Sequence, residues 1–220
     1  MKAIRTFFLL VISLFFPGAV LAGPISATMT SYPFGGIIAT EDWANGGASL
    51  SWNVFQVGNL WQYDYSFNLV KKDLSGIIFQ VSDTFTAKNI FDGTTSGWEI
   101  QTFGDEGNST PGIPSLQYGI KFGGTGLFND FTIVTDRAPM LGNFYAVDGK
   151  TPGSEVYAYN FRWGSCSGDV RDGTDQKAGC VVVPDTVTTS VPEPGALALL
   201  ALGLGGLGLS KRRHSAKIAS

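Results

Sequence analysis

Residues 50–69 read LSWNVFQVGNLWQYDYSFNL, and their alternation decides the fold. Leu50, Trp52 and Val54 alternate with Ser49, Ser51 and Asn53. After Gly58-Asn59, Trp61, Tyr63, Tyr65, Phe67 and Leu69 alternate with Gln62, Asp64, Ser66 and Asn68. A period of two places one set on a buried face and the other in water, which is the pattern of a β-hairpin. Glycine followed by Asn at the two turn positions suits a type II′ connection, whose twist matches that of the strands it joins.

Working outward, the same period recurs. It is carried by Ile77, Phe79 and Val81; by Trp98 and Ile100; by Leu116, Tyr118, Ile120 and Phe122; by Phe131 and Ile133; and by Phe144 and Ala146. The segment from Val156 to Trp163 places Tyr157, Tyr159, Phe161 and Trp163 on one face. Turn-rich intervals such as Asp92-Gly93, 104–114, 123–126 and 148–150 separate these runs, and no helical period competes with them. The pattern predicts an all-β fold. A single antiparallel β-sandwich of jelly-roll or immunoglobulin-like kind is expected, with a closed barrel as the alternative.

Both ends differ from this body. Residues 1–22 carry Lys2 and Arg5, an apolar run from Phe7 to Phe16, a Pro17-Gly18 break and small residues before a cleavage point between Ala22 and Gly23. This is the layout of a secretory signal peptide removed by signal peptidase. A retained transmembrane helix is disfavoured because the uninterrupted apolar run is too short. The exported β-domain is expected over residues 23–190.

At the other end, residues 191–220 open with Val191, Pro192, Glu193 and Pro194, continue through the uncharged span 196–209, and reach the basic stop Lys211, Arg212 and Arg213. The two prolines bar a continuous helix, so an accessible extended segment should precede a short apolar helix. As a helix that span reaches about 21 Å, against roughly 30 Å of hydrocarbon, and its glycines weaken it further. The basic residues should stay on the cytoplasmic side, which places the body across the membrane from them.

This tripartite tail resembles the PEP-CTERM sorting signal of Gram-negative bacteria. The resemblance implies recognition by an exosortase, cleavage near the Pro-Glu-Pro, and delivery of the body to the cell envelope or the extracellular matrix. Until then it would be membrane-tethered. An ordinary C-terminal anchor is the competing reading of the same residues. The stretch 131–149 looks like one found in other PEP-CTERM surface proteins of undefined role, and it implies no activity.

Charge narrows the partners. Six of the fifteen Lys and Arg residues lie in the two end segments, with Glu193 as the sole acid there. The body is left with nine cations and seventeen anions, a net charge of about −8. An acidic surface repels nucleic acid and anionic lipid, so neither is an expected partner of the body. Cys166 and Cys180 are expected to form a disulfide in an oxidising compartment; a two-ligand zinc site would lack further ligands.

The only histidine, His214, lies in the tail. A body without histidine has no Ser-His-Asp or Cys-His site and no His-ligated metal. Carboxylate chemistry survives that exclusion, above all glycoside hydrolysis by a pair drawn from Asp64, Asp83, Glu99, Asp105, Glu106 and Glu155. No spacing selects such a pair. The body is therefore expected to be non-catalytic, with a carbohydrate-binding module as the alternative and extracellular polysaccharide as its partner. Trp52, Trp61 and Trp163 read as core. Trp43 and Trp98, beside Gly-rich loops, are the candidate sugar platforms. Asp169, Asp172 and Asp175 surround a Gly turn that could hold calcium, and no other cofactor is expected.

Overall fold

The computed structural model describes residues 23–105, 110–148, 155–166, 170 and 179–184. The signal segment up to Ala22, the tail from Val191 and the acids Asp169, Asp172 and Asp175 lie outside the described residues. The strands within the described part are β1 (Ile25–Thr30), β2 (Ile37–Ala39), β3 (Ala48–Val57), β4 (Leu60–Leu69), β5 (Gly76–Gln80) and β6 (Trp98–Phe103). They continue with β7 (Gln117–Gly123), β8 (Phe128–Thr135), β9 (Pro139–Gly142), β10 (Phe144–Asp148), β11 (Val156–Asn160) and β12 (Val181–Pro184). No α-helix occurs among the described residues, so the fold is all-β.

The predicted hairpin is β3–β4, paired antiparallel from Ala48↔Leu69 to Val57↔Leu60. Gly58 has φ 62° while Asn59 keeps a negative φ, the combination a type II′ turn requires. This hairpin is the middle of a four-stranded sheet ordered β1-β3-β4-β8. A six-stranded sheet runs β2-β11-β10-β5-β7-β6, and β12 pairs with β9 as a separate two-stranded ladder. All these strand pairs are antiparallel.

The alternation sorts side chains as expected. Leu50, Val54, Tyr63, Tyr65 and Phe67 are fully buried or nearly so. Across the core they meet Ile77, Phe79, Phe122, Phe144 and Ala146 from the six-stranded sheet in one apolar cluster. Tyr65 stacks on Phe79 with ring centroids 3.9 Å apart, and Phe67 meets Phe144 at 6.2 Å. Each such large apolar side chain contributes about 2 kcal/mol on burial. The opposite face of β3 and β4 carries short polar side chains joined across strands, including Ser26 to Asn53, Ser66 to Asp130 and Thr132 to Asp64.

The β9–β12 ladder ties the two sheets together. Val181, Val182 and Val183 have no exposed surface, and Tyr65 Oη donates to the Val182 carbonyl at 2.8 Å. Gly142 lies so close to its partner strand that a Cβ there would sit 2.4 Å from Val183 Cγ2, so a larger residue would force the Val183 side chain to move. Just before β12, Cys180 bonds to Cys166 with a Cα–Cα distance of 5.6 Å, as the two-cysteine count predicted.

A second, smaller cluster covers the outer face of the six-stranded sheet. Ile78, Tyr145 and Val147 pack there with Phe103 and Ile113, against Tyr157, Tyr159 and Trp163. Burial raises the Tyr145 hydroxyl far above its ordinary pKa of 10.0, with the neighbouring Tyr157 adding to the rise, and its proton goes to the Pro111 carbonyl. Tyr65 is raised in the same way by burial and, secondarily, by Asp64.

Two predictions follow from this packing. Replacing both Cys166 and Cys180 by Ala should lower stability by about 3 kcal/mol in urea unfolding, since the cross-link closes a loop of 14-residue separation. Tyr65 and Tyr145 hold their protons more tightly folded than unfolded. Their contribution is therefore intact below the unfolded value of 10.0 and declines as pH rises above it. Alkaline titration followed by circular dichroism and by the phenolate ultraviolet band should place part of the tyrosine ionisation at the unfolding transition. Ionisation of all tyrosines in a still-folded protein would contradict this.

Candidate functional site

A cleft of about 520 Å³ opens where β5 ends and β7 begins, beside the turn that follows β11. Gln80 to Asp83 form one wall, Ser115 to Tyr118 the opposite one, and Asn143, Trp163 and Gly164 complete it. Its lining mixes amides, hydroxyls, one carboxylate and two aromatic rings.

Backbone pairing sets the geometry of the first wall. Gln80 N–H donates to the Asn143 carbonyl at 2.9 Å, and Asn143 N–H donates to Gln80 Oε1 at 3.0 Å. This reciprocal clasp orients the Gln80 amide and leaves its NH2 group as the donor. Asn143 is held in turn by Asn160, a fully buried amide at the end of β11. Asn160 Nδ2 donates to Asn143 Oδ1 at 3.0 Å and to the Gly179 carbonyl at 3.1 Å, and its Oδ1 accepts from Phe144 N–H at 2.9 Å. One side chain thus joins the cleft, β10 and the disulfide-linked segment.

The aromatic groups are fixed just as firmly. Tyr118 Oη donates to the Phe85 carbonyl at 3.1 Å. Trp163 meets Tyr159 edge to face at 6.0 Å, and its Nε1 donates to Ser115 Oγ at 2.9 Å, linking the two sides of the cleft. Gln117, the first residue of β7, is only 4% exposed, and neither its Oε1 nor its Nε2 has a hydrogen-bond partner among the described residues.

The predicted platforms are placed differently. Trp43 has no exposed surface: a 3-10 turn at Glu41–Trp43 carries it into the core, where it meets Phe67 edge to face at 5.7 Å and donates Nε1 to the Lys71 carbonyl. It cannot receive a sugar. Trp98 is half-buried at the edge strand β6, packed against the main core, and lines neither this cleft nor the second one described below. Trp52 is core as expected. Trp163, read as core, is instead the ring at the cleft. The reason is that β11 stops at Asn160, and the turn 161–164 that follows breaks the alternation assumed to run through Trp163. Phe161 leaves the face for the same reason and is exposed, and so is Leu116, which precedes β7.

The acids are dispersed. Asp64 accepts from Gln62 and Thr132 on the four-stranded sheet, Glu99 pairs with Lys121 at 2.9 Å, and among the described acids Asp83 alone lines the cleft. Among the described residues no group of three or more His, Cys, Asp or Glu could hold a metal ion. A second, more apolar cleft of about 440 Å³ lies between Pro33, Phe34, Ile37, Phe161 and Arg162. Phe34 there is fully exposed at φ 67°.

Comparison with known families matches residues 190–213 to the PEP-CTERM protein-sorting motif. The chain therefore carries a signal for export and membrane-associated sorting in the cell envelope, of the kind processed by exosortases. No curated protein and no solved structure matches the chain. No helix among the described residues is long and apolar enough to cross a membrane, and the span 196–209 lies outside them.

Asn160→Ala should lower stability by about 3 kcal/mol, because it strands several buried groups at once. In amide exchange the Phe144 N–H should lose protection. A loss below about 1 kcal/mol would mean that the hub is not what holds the cleft wall.

Proposed function

We propose that the chain is an exported, non-catalytic β-sandwich, of jelly-roll or immunoglobulin-like kind, that binds carbohydrate at the cell surface or in the extracellular matrix. The observation that carries this reading is the cleft. Trp163 and Tyr118 offer apolar ring surface, against which the C–H face of a sugar packs, while Gln80, Asn143 and Asp83 offer donors and acceptors for its hydroxyls. The sorting motif supports the same reading by taking the body to the envelope, where polysaccharide is at hand.

Glycoside hydrolysis is the less favoured use of the cleft. Both of its usual stereochemical courses need two carboxyl groups flanking one bond, and among the described residues the lining supplies Asp83 alone. The calcium expectation at Asp169, Asp172 and Asp175 falls on residues outside those described.

Screening the full chain against a panel of oligosaccharides, followed by titration calorimetry on those retained, tests the proposal. Wild-type protein should bind at least one, and Trp163→Ala should weaken that binding by about tenfold, or about 1.4 kcal/mol, with the fold intact. A protein that binds none of the panel, or a Trp163→Ala variant that binds as the wild type does, would refute it.

A further inference from the structure

We infer that the apolar cleft formed by Pro33, Phe34, Ile37, Phe161 and Arg162 is the docking site for this chain's own Pro192-Glu193-Pro194, so that the folded body holds the segment its sorting enzyme must reach. This site is separate from the carbohydrate cleft and does not rest on that reading. Gly35 N–H donates to the Tyr32 carbonyl at 2.8 Å, closing a β-turn with Pro33 at its second position and Phe34, at φ 67°, at its third. A positive φ at the third position marks a type II turn and favours glycine. Phenylalanine is strained there, and its side chain is fully exposed at 105%. Phe161, which lines the same cleft, is 67% exposed. Two large rings left in water, one of them on backbone that suits glycine, add little to the core, and strain of this kind collects at ligand clamps.

Conformation and charge identify the occupant. Pro192 and Pro194 fix their own φ and restrict Glu193 to extended conformations, so the motif is biased toward the polyproline form. Aromatic-lined grooves take up such segments because little freedom is lost on binding. Arg162 is exposed, is the one charged residue lining the cleft, and takes part in none of the ion pairs among the described residues. Glu193 is the sole acid of the two terminal segments. An arginine beside two rings, on a body of net negative charge, is the complement of a carboxylate set between two prolines.

The chain is also long enough. Gly179 adjoins the cleft: its carbonyl accepts from Arg162 N–H at 3.2 Å, and a Cβ on it would lie 3.3 Å from Phe161 Cβ. From Gly179 to Pro184 the extended chain covers about 17 Å. From Pro184 to Pro192 it can cover about 28 Å, enough to turn back along β12 and arrive at the cleft. A tether this short keeps the motif at millimolar effective concentration, so weak docking suffices.

Nuclear magnetic resonance of the full chain in detergent micelles tests this, through the ring signals of Phe34 and Phe161. Pro192→Ser combined with Pro194→Ser, or Glu193→Lys alone, should move these signals and leave those of the core rings Trp43, Tyr65 and Phe79 in place. Arg162→Glu should move them too, and Arg162→Glu combined with Glu193→Lys should recover the wild-type positions. Arg162 is exposed and the motif lies beyond the last described strand, so the fold of the body survives each change. A synthetic peptide of residues 189–196, added at millimolar concentration to the Pro192→Ser, Pro194→Ser chain, should return both rings toward their wild-type positions.

Ring signals that are identical in the wild type and in the Pro192→Ser, Pro194→Ser chain, a charge swap that recovers nothing, or a peptide that moves neither ring would each overturn the inference. A difference between wild type and variant that fades on dilution would assign the cleft to the motif of a second copy. Signals that follow the detergent or added lipid, and not the motif, would assign it to the membrane surface. Either result overturns docking of the motif on its own body.

Discussion

The stacking of Tyr65 on Phe79 at 3.9 Å has the shortest centroid distance of the ring contacts that join the two large sheets into one body. Tyr65 comes from the centre of the four-stranded sheet and Phe79 from the interior of the six-stranded one, so neither can shift without carrying its neighbours. The phenol does more than fill space. Its hydroxyl reaches the Val182 carbonyl and so couples the hairpin to the last described strand, which pairs in turn with β9. A phenylalanine would keep the ring contact and strand that carbonyl. Sheet packing, closure of β9–β12 and the position of the disulfide therefore depend on one side chain that is apolar on its faces and polar at its tip.

The alternating core was legible because it rests on period alone. Tyr63, Tyr65 and Phe67 are buried, and their polar neighbours are not, because a strand has no other way to divide apolar from polar residues between two faces. The strands missed by that reading have a common cause. In β12 every residue is buried, and in β9 only Met140 is not, so neither alternates. The edge strand β2 is three residues long, too short for a period to register. Buried on both sides or very short, these segments leave little trace in a pattern whose signal is the contrast between two faces. β1 is the exception: Ile25, Ala27 and Met29 alternate with Ser26, Thr28 and Thr30, and the period was there to be read.

The site was harder to read because it depends on where strands stop. Extending the alternation of Val156 to Asn160 by three residues puts Trp163 in the core; ending it at Asn160, as the hydrogen bonds of that residue require, places Trp163 at the cleft. Nothing in the local sequence marks that end except Gly164 and the serines beyond it. Trp43 fails in the opposite sense. Glycines flanking an aromatic residue read as a solvent-exposed loop, yet Asn45 and Gly46 take positive φ and the chain folds tightly enough to bury the ring. Gln117 gave no signal at all, because an orphan amide is a property of its surroundings rather than of its own sequence.

Body and tail constrain each other through a short stretch of chain. Pro184, the end of β12, is separated from Val191, the start of the sorting motif, by residues 185–190. At about 3.5 Å per residue even a fully extended link spans only about 25 Å. The final strand cannot be pulled away to lengthen it without breaking a ladder whose valines have no exposed surface and a hydrogen bond from the core tyrosine. While the tail is attached, the end of the body near Pro139 and Pro184 therefore stays within that distance of the sorting motif. Cys180, directly before β12, fixes the other end of the same strand to Cys166. β12 lies between the disulfide and the tail, so tension on the tail acts first on β12 and meets a covalent stop at Cys180. An exported domain handled by its C-terminus gains from having its last described strand paired with β9, tied to Tyr65 and cross-linked at its root.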